Sequence, residues 1–236
     1  LGKIVGIIQS NYLPWKGYFD FIDSVDAFVF LDDVQFTKRD WRNRNFIKTH
    51  KGLQLLTVPV LTRGRYMQRI CEVAVAGDHW AEEHLAAMRH AYARAPYFRS
   101  EIHWISDLLH TASRYALLSE INTFLIRRIC ERLGIKTRLY SSTIFDRSEG
   151  KNERLISICK QLNAERYLSG PAARSYIDES LWHREGIEVA YKSYDGYPEY
   201  PQLHGSFEHK VSIVDVLFHV GSEAYRYIKQ SKQGKL

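Results

Sequence analysis

Three cysteines stand at positions 71, 130 and 159, an odd number, widely spaced and set in apolar runs. That pattern excludes a disulfide framework and the paired spacing of a zinc site. They are expected to be buried thiols of a reducing compartment. No apolar run approaches the roughly 18–20 residues a membrane span needs. The opening stretch LGKIVGIIQSNYLPW lacks a small-residue cleavage pattern, so no secretory signal is read there and a cytoplasmic location is expected. The chain has no P-loop, no G-x-G-x-x-G, no H-E-x-x-H and no cysteine–histidine signature. Internal repeats and low-complexity linkers are missing too. What is nearly absent between Gln35 and Arg69 is acid: Asp40 stands alone there among nine basic residues.

The 236 residues are 45% hydrophobic and 25% charged, which excludes disorder and gives enough chain to bury a core. The formal net charge is +6. The basic window (Lys38, Arg39, Arg42, Arg44, Lys48, Lys51, Arg63, Arg65, Arg69) supplies all of it, because the rest of the chain is slightly acidic. A localised charge of this kind points to an anionic ligand at one place. Phe36, Trp41, Phe46 and Tyr66 interleave with these bases, as in some single-strand binders. The acidic remainder and the lack of a nucleic-acid module argue against nucleic acid as a partner.

Lys3–Gln9 is a near-continuous apolar run of the kind buried on both faces of a parallel sheet. A loop over 10–14, a helix over 15–24 and a strand over 27–34 complete a βαβ unit. The window beyond reads as a β-rich excursion. Strands at 46–50 and 53–61 flank the Lys51-Gly52 turn, and a further strand is expected over 65–75. Asp78 is the expected cap of a helix with Ala81, Leu85, Met88 and Tyr92 on its core face. Pro96 ends that helix. Helices at 99–109 and 119–133 follow, the second closed by Gly134. A strand at 137–141, helix at 152–162, strand at 166–169, helix at 172–185 and strand at 187–193 form a second α/β half. After an ordered loop over 194–209, Ser212 caps a last helix through His219. The predicted class is α/β: a Rossmann-like, mostly parallel sheet with a β-rich excursion and a helical insertion. Residues 1–236 are expected to form one domain, with 46–135 as an inserted hairpin and helical subdomain.

Four segments carry candidate chemistry. Gln9, Asn11, Tyr12, Trp15 and Tyr18 follow the first strand, where open α/β sheets bind ligands. The bland alternative is a packed loop covering the sheet edge. Asp32 and Asp33 end the second strand and point to opposite sides if still extended. One of them could serve as a base, orient an amine or bind magnesium. Gln35, Lys38, Trp41, Arg42, Asn43, Arg44 and Asn45 follow. Arg42 and Arg44 share a face of an extended chain, as a clamp on phosphate or carboxylate requires; a solvated strand edge gives the same pattern. Ser169 and Gly170, before Pro171, open a helix whose free amides suit an anion, with Tyr176 nearby. Gln202, His204, Ser212 and Asp215 lie near the end. His204 is a candidate acid or base, and no metal site is read from the two histidines at 204 and 209.

At these segments the chain resembles the WbqC-like family. The resemblance rests on QSNYLPWKGYF at 9–19, LDDVQFTKRDWRNRN at 31–45, YLSGPAARSYID at 167–178, and the stretch from Tyr200-Pro-Gln to Ser212-Ile-Val-Asp-Val-Leu-Phe. Ser10 and His209 stand where the family often has proline. The resemblance implies a bacterial cytoplasmic protein associated with O-antigen or other surface-polysaccharide synthesis. It suggests a transferase of the acyl or aminoacyl type. Its donor would be nucleotide- or phosphopantetheine-bearing, its acceptor an amino group, and a carrier protein its possible partner. A weaker resemblance covers about the first 45 residues. The strand, loop and Trp15-Lys16-Gly17-Tyr18 look like the H-x-G-H frame of adenylyl-transferring enzymes related to pantothenate synthetase, with both histidines replaced. Three readings follow from these segments. In the first, Arg42, Arg44 and the Ser169–Ala173 turn hold the donor, Gln9, Tyr12, Asn43 and Asn45 orient the acceptor, and Asp33 or His204 is the base. The second is an ATP-using nucleotidyltransferase-like enzyme. The third is a non-catalytic module binding sugar nucleotides or a partner enzyme.

Overall fold

The structure is a computed structural model that describes residues 2–230. Strand β1 (Ile4–Ile8), helix α1 (Lys16–Asp23) and strand β2 (Ala27–Phe30) form the first βαβ unit. The excursion holds the hairpin β3 (Arg44–Thr49) and β4 (Gly52–Thr57), then helices α2 (Trp80–Tyr92), α3 (Phe98–Ala112) and α4 (Leu118–Leu133). The chain returns to the sheet in β5 (Arg138–Ser141), α5 (Lys151–Gln161), β6 (Arg166–Ser169), α6 (Glu179–Arg184) and β7 (Glu188–Tyr191). It ends in α7 (Ile213–Val220) and α8 (Ala224–Ile228). The main sheet has the order β5-β2-β1-β6-β7, and every pair in it is parallel. Ile8 lies opposite Phe30, Phe30 opposite Ser141, and Ser169 opposite Tyr191, so the carboxyl ends of the strands share one edge. This is the Rossmann-like mixed α/β architecture, with β3 and β4 as a separate antiparallel pair.

Strand alternation sorts the core into two layers. Phe28 and Phe30 face a large cluster with Phe19 and Phe21 of α1 and with the helices of the excursion. Val5, Ile7, Ala27 and Val29 face the other way, onto Leu155 and Ile158 of α5 and onto Tyr167 and Trp182. The last two rings stack at 4.6 Å. The predicted stripe Ala81, Leu85, Met88, Tyr92 is buried, as are Ile121, Leu125, Ile129 and Leu133 of α4.

Four local expectations are overturned. The 65–75 segment is not a strand; it holds a 3₁₀ turn over Ile70–Glu72. Its backbone is spent on single bonds to the chain after β2: Phe36 N to Gln68 O, Ile70 N to Val34 O and Cys71 N to Asp32 O. β2 stops at Phe30, because the two aspartates beyond it turn to side-chain partners. His79, not Asp78, precedes α2, and no side chain caps it. The expected helix over 172–185 is broken into a 3₁₀ turn over Pro171–Ser175 and α6, which Asp178 restarts by accepting from Ser180 N at 3.1 Å.

The carboxylate of Asp215 ties the last helix to the excursion. Fully buried, it accepts from Tyr200 at 2.6 Å, Tyr92 at 2.8 Å and Gln202 Nε2 at 2.8 Å, with His219 Nδ1 at 3.4 Å. Burial pushes its pKa up, but the bonds from His219, Tyr200 and Gln202 more than offset this and hold it below the ordinary value. Asp215→Ala leaves two tyrosines and an amide without an acceptor, and is expected to cost about 3 kcal/mol in urea unfolding at neutral pH.

Candidate functional site

The order of the sheet reverses between β1 and β6, which are neighbours although far apart in sequence. Such a switch point opens a crevice outside the carboxyl ends of the strands. A cavity of about 940 Å³ lies there. Gln9 comes to it from the end of β1, Asp33 and Gln35 from beyond β2, and Arg69 from the excursion. The segment after β5 contributes Arg147 to Lys151 and then Arg154; Tyr176 comes from beyond β6. Four of these side chains are cationic (Arg69, Arg147, Lys151, Arg154) against the carboxylates of Asp33 and Glu149.

Asp33 and Arg154 fix the wall. Arg154 Nη2 donates to Asp33 Oδ2 at 2.8 Å and to Ser142 O at 2.7 Å, and its Nη1 donates to Asp146 O at 2.5 Å. The Ser142 hydroxyl donates to Asp33 Oδ1 at 2.5 Å. Arg69 pairs with Glu72, its Nε 2.9 Å from Oε1. The Lys151 ammonium lies 5.8 Å from the centre of the Tyr176 ring.

Asp32, beyond the end of β2, does not line the cavity. It is buried and accepts from Ser10 N at 2.9 Å. Burial pushes its carboxyl up to about 6, against the lowering effects of the Ser10 bonds and of Arg42.

The other residues singled out by sequence lie outside the large cavity. Trp15, Asn11, Trp41 and Asn45, with Pro14 and Lys210, line a separate recess of about 180 Å³. Arg42 donates to Asn11 Oδ1 and pairs with Asp40. Asn43 Nδ2 donates to Val58 O at 2.8 Å, and Asn45 Nδ2 to Leu13 O at 2.8 Å, so both amides hold backbone. Arg44 opens β3, half-buried, with its Nε lacking a partner. Lys38 lines a third recess, shared with Gln35 and Arg65. The Tyr12 hydroxyl shares a hydrogen bond with His84 Nδ1 at 2.8 Å, and Tyr18 donates to Gln9 O at 3.0 Å. Ser169 is buried against the Tyr167 hydroxyl, and Gly170 precedes only the short 3₁₀ turn. Gln202 Oε1 accepts from Lys48 Nζ at 2.8 Å. Ser212 caps α7. His204 Nε2 donates to Ala91 O at 2.8 Å, at the end of α2. The structure thus brings Gln9, Asp33, Gln35 and Tyr176 together and leaves His204 elsewhere.

Arg147, Lys151 and Arg154 went unnoticed in sequence, although the run Asp146-Arg-Ser-Glu-Gly-Lys-Asn-Glu-Arg154 puts a glycine and three cations at a helix start. Cys130 and Cys159 are buried and Cys71 partly so, all three free. Burial pushes the Cys130 thiol up to about 12. Among the described residues no group of three or more metal-ligating side chains converges, and no helix is long and apolar enough to cross a membrane.

Fold and crevice together define an open parallel α/β protein with a cation-lined cavity at the switch point of its sheet. Residues 9–227 match the model of the WbqC-like protein family, and the chain belongs to that family. It is 47% identical over 231 residues to a protein of Mycobacterium tuberculosis (strain ATCC 25618 / H37Rv) described as "Uncharacterized protein Rv1507c", covering 98% of this chain and 100% of the relative. No solved structure matches the chain.

Because the fold disfavours ionised Asp32, the stability it contributes is greatest below its unfolded pKa of about 3.9 and is lost as pH rises through about 6. The difference in unfolding free energy between wild type and Asp32→Asn should therefore fall by about 3 kcal/mol from about pH 3.5 to about pH 7. A difference that stays flat in urea titrations across this range would show that Asp32 titrates normally.

Proposed function

We propose that the protein is a transferase of surface-polysaccharide or related biosynthesis. It holds an activated, phosphate-bearing donor in the switch-point cavity and passes an acyl or aminoacyl group to an amine. The observation that carries this reading is the wall itself: four cations and a helix N-terminus face a space of about 940 Å³ at the place where α/β sheets bind nucleotides. Asp33 lies on that wall with its carboxylate held by Arg154 and Ser142. In the proposed reaction the amine nitrogen forms a bond to the acyl carbon. The bond from that carbon to the donor breaks, and its electron pair leaves with the donor. Asp33 accepts the proton lost by nitrogen. The buried thiols, raised in pKa, favour direct transfer over a cysteine-bound intermediate.

A donor of this class should raise the unfolding midpoint in a concentration-dependent way, by about 2.7 kcal/mol of stability at a hundredfold excess over Kd. ATP, coenzyme A and nucleotide sugars form the panel. With the donor found, Asp33→Asn should lower turnover by roughly a hundredfold or more; because it also leaves Arg154 without its counter-charge, donor affinity and urea unfolding are measured alongside. Pyrophosphate release from ATP and a carboxylic acid would point instead to nucleotidyl transfer. Stabilisation with no product in mass spectra would point to a binding module.

A further inference from the structure

The recess of about 180 Å³ is assembled from three distant parts of the chain: the loop after β1, the stretch from Trp41 to Asn45, and Lys210 before α7. The Trp15 ring in it is fixed. A Cβ placed on Gly17 would lie 2.3 Å from the indole, so the ring rests on the start of α1. The rings of Tyr194 and Tyr197 pack on it with centres 5.3 and 5.7 Å away. The Trp15 backbone pairs with Ser212, which brings Lys210, two residues earlier, to the same place. Trp41 is tied through its backbone. Its N donates to Asp40 Oδ1 at 2.7 Å, and its carbonyl accepts from Tyr12 N at 3.1 Å. Its ring meets Phe46 edge-on at 5.9 Å, yet remains 46% exposed. The chain thus holds a large apolar ring half in water on a backbone tied at both sides of the residue.

The polar groups of the recess divide into spent and available. Asn45 is buried and spent: its Nδ2 donates to Leu13 O at 2.8 Å, and its Oδ1 accepts from Phe46 N at 2.8 Å. Asn11 Oδ1 accepts from Arg42, which leaves Nδ2 as the half of that amide able to donate. The Lys210 ammonium and the two indole N–H groups are donors only, and no carboxylate lines the recess. An occupant must therefore carry acceptor oxygens around its edge and offer a C–H surface to the rings. The volume lies below the roughly 300 Å³ at which pockets for drug-sized ligands begin, so it admits one ring and not a nucleotide. A pyranose meets all three conditions. Its hydroxyl and ring oxygens accept around the whole edge, and its C–H bonds, polarised by those oxygens, suit the negative face of an indole. An aromatic acid would also suit the indoles, but it gathers its oxygens at one point, whereas the donors stand at Asn11, at Lys210 and on both indoles.

We infer that this recess binds a single pyranose unit of a saccharide, laid against Trp15 and Trp41 and held by the Asn11 amide and the Lys210 ammonium. The inference goes beyond the reading of the large cavity and does not depend on it. Gln9 lines that cavity and Asn11 lines the recess, so the two spaces are two residues apart along the chain. If the cavity holds a donor, the recess names the class of molecule beside it; if the cavity holds none, the sugar site stands alone.

The test follows the five tryptophan indole N–H signals of the full chain in ¹H–¹⁵N spectra. The probes are methyl glucoside, its 2-acetamido and 2-amino counterparts, and methyl glucuronide. The Trp15 and Trp41 signals are expected to shift together with a Kd on the order of 1 mM, as a single small ring allows. The buried Trp80 and Trp182 should stay in place. Trp41→Ala should weaken the best glycoside roughly tenfold with the remaining spectrum intact, and Trp41→Phe should restore most of the loss, because the ring face carries the contact. Lys210→Ala should weaken the glucuronide most. Still Trp15 and Trp41 signals with every glycoside at about 50 mM, well above the expected Kd, would overturn the inference, as would unchanged affinity in Trp41→Ala. Benzoate moving both signals at lower concentration than any glycoside would show an aromatic-acid site in place of a sugar site. ATP and coenzyme A are titrated separately, and their outcome bears on the large cavity alone.

Discussion

The crevice depends on one ion pair, Asp33 with Arg154. Taking two charges out of water costs several kcal/mol for each unless they are well matched. Here the match is nearly complete. The carboxylate receives the guanidinium on one oxygen and the Ser142 hydroxyl on the other, and the Ser142 carbonyl receives the same guanidinium. The end of β2, the end of β5 and the second turn of α5 are therefore joined in a single knot. The orientation of the α5 start toward Gln9 follows from it. Losing either partner would leave a buried charge in the wall rather than an open pocket.

The basic window that dominates the sequence is dispersed in space. Arg42 is committed to Asn11 and Asp40. Lys48 is buried and donates to Gln202 and to Ser206 O. Lys38 and Arg65 belong to a side recess, and Arg69 alone of the nine reaches the large cavity. The positive wall is completed by the 147–154 segment, where acids and bases alternate and no net charge stands out in sequence. A charge cluster along the chain becomes a charge cluster in space only if the backbone runs straight, and a hairpin with tight turns does not.

The same distinction explains what could be read in advance. The sheet strands were legible because Val, Ile and Phe on both faces leave no alternative to burial, and α4 because four apolar residues repeat in phase before Gly134. The crevice at the end of β1 followed from strand placement. The 65–75 stretch misled because its β-forming residues satisfy their backbone one bridge at a time. Asn43 and Asn45 looked like ligand contacts, yet their amides hold Val58 and Leu13 backbone, a role that depends on partners distant in sequence. Arg154 could not be seen because its partner lies 121 residues away, and nothing in a helix start announces which strand end it will face.

The loop after β1 is tied down from every side. Tyr12 N donates to Trp41 O, Asn45 holds Leu13, His84 meets the Tyr12 hydroxyl, Asn122 donates to the Ser10 hydroxyl and Ile213 holds Pro14. Those partners come from the hairpin, from the segment before it and from three different helices. A floor bound in this way cannot be altered one residue at a time. The stretch over 62–67, beside the side recess that Lys38 lines, is the opposite case, with Tyr66 77% and Met67 73% exposed. In a lineage built on this frame, the loop after β1 would be inherited as a block, while the 62–67 stretch would be free to drift. Descendants would keep the crevice and part company at the surface beside it.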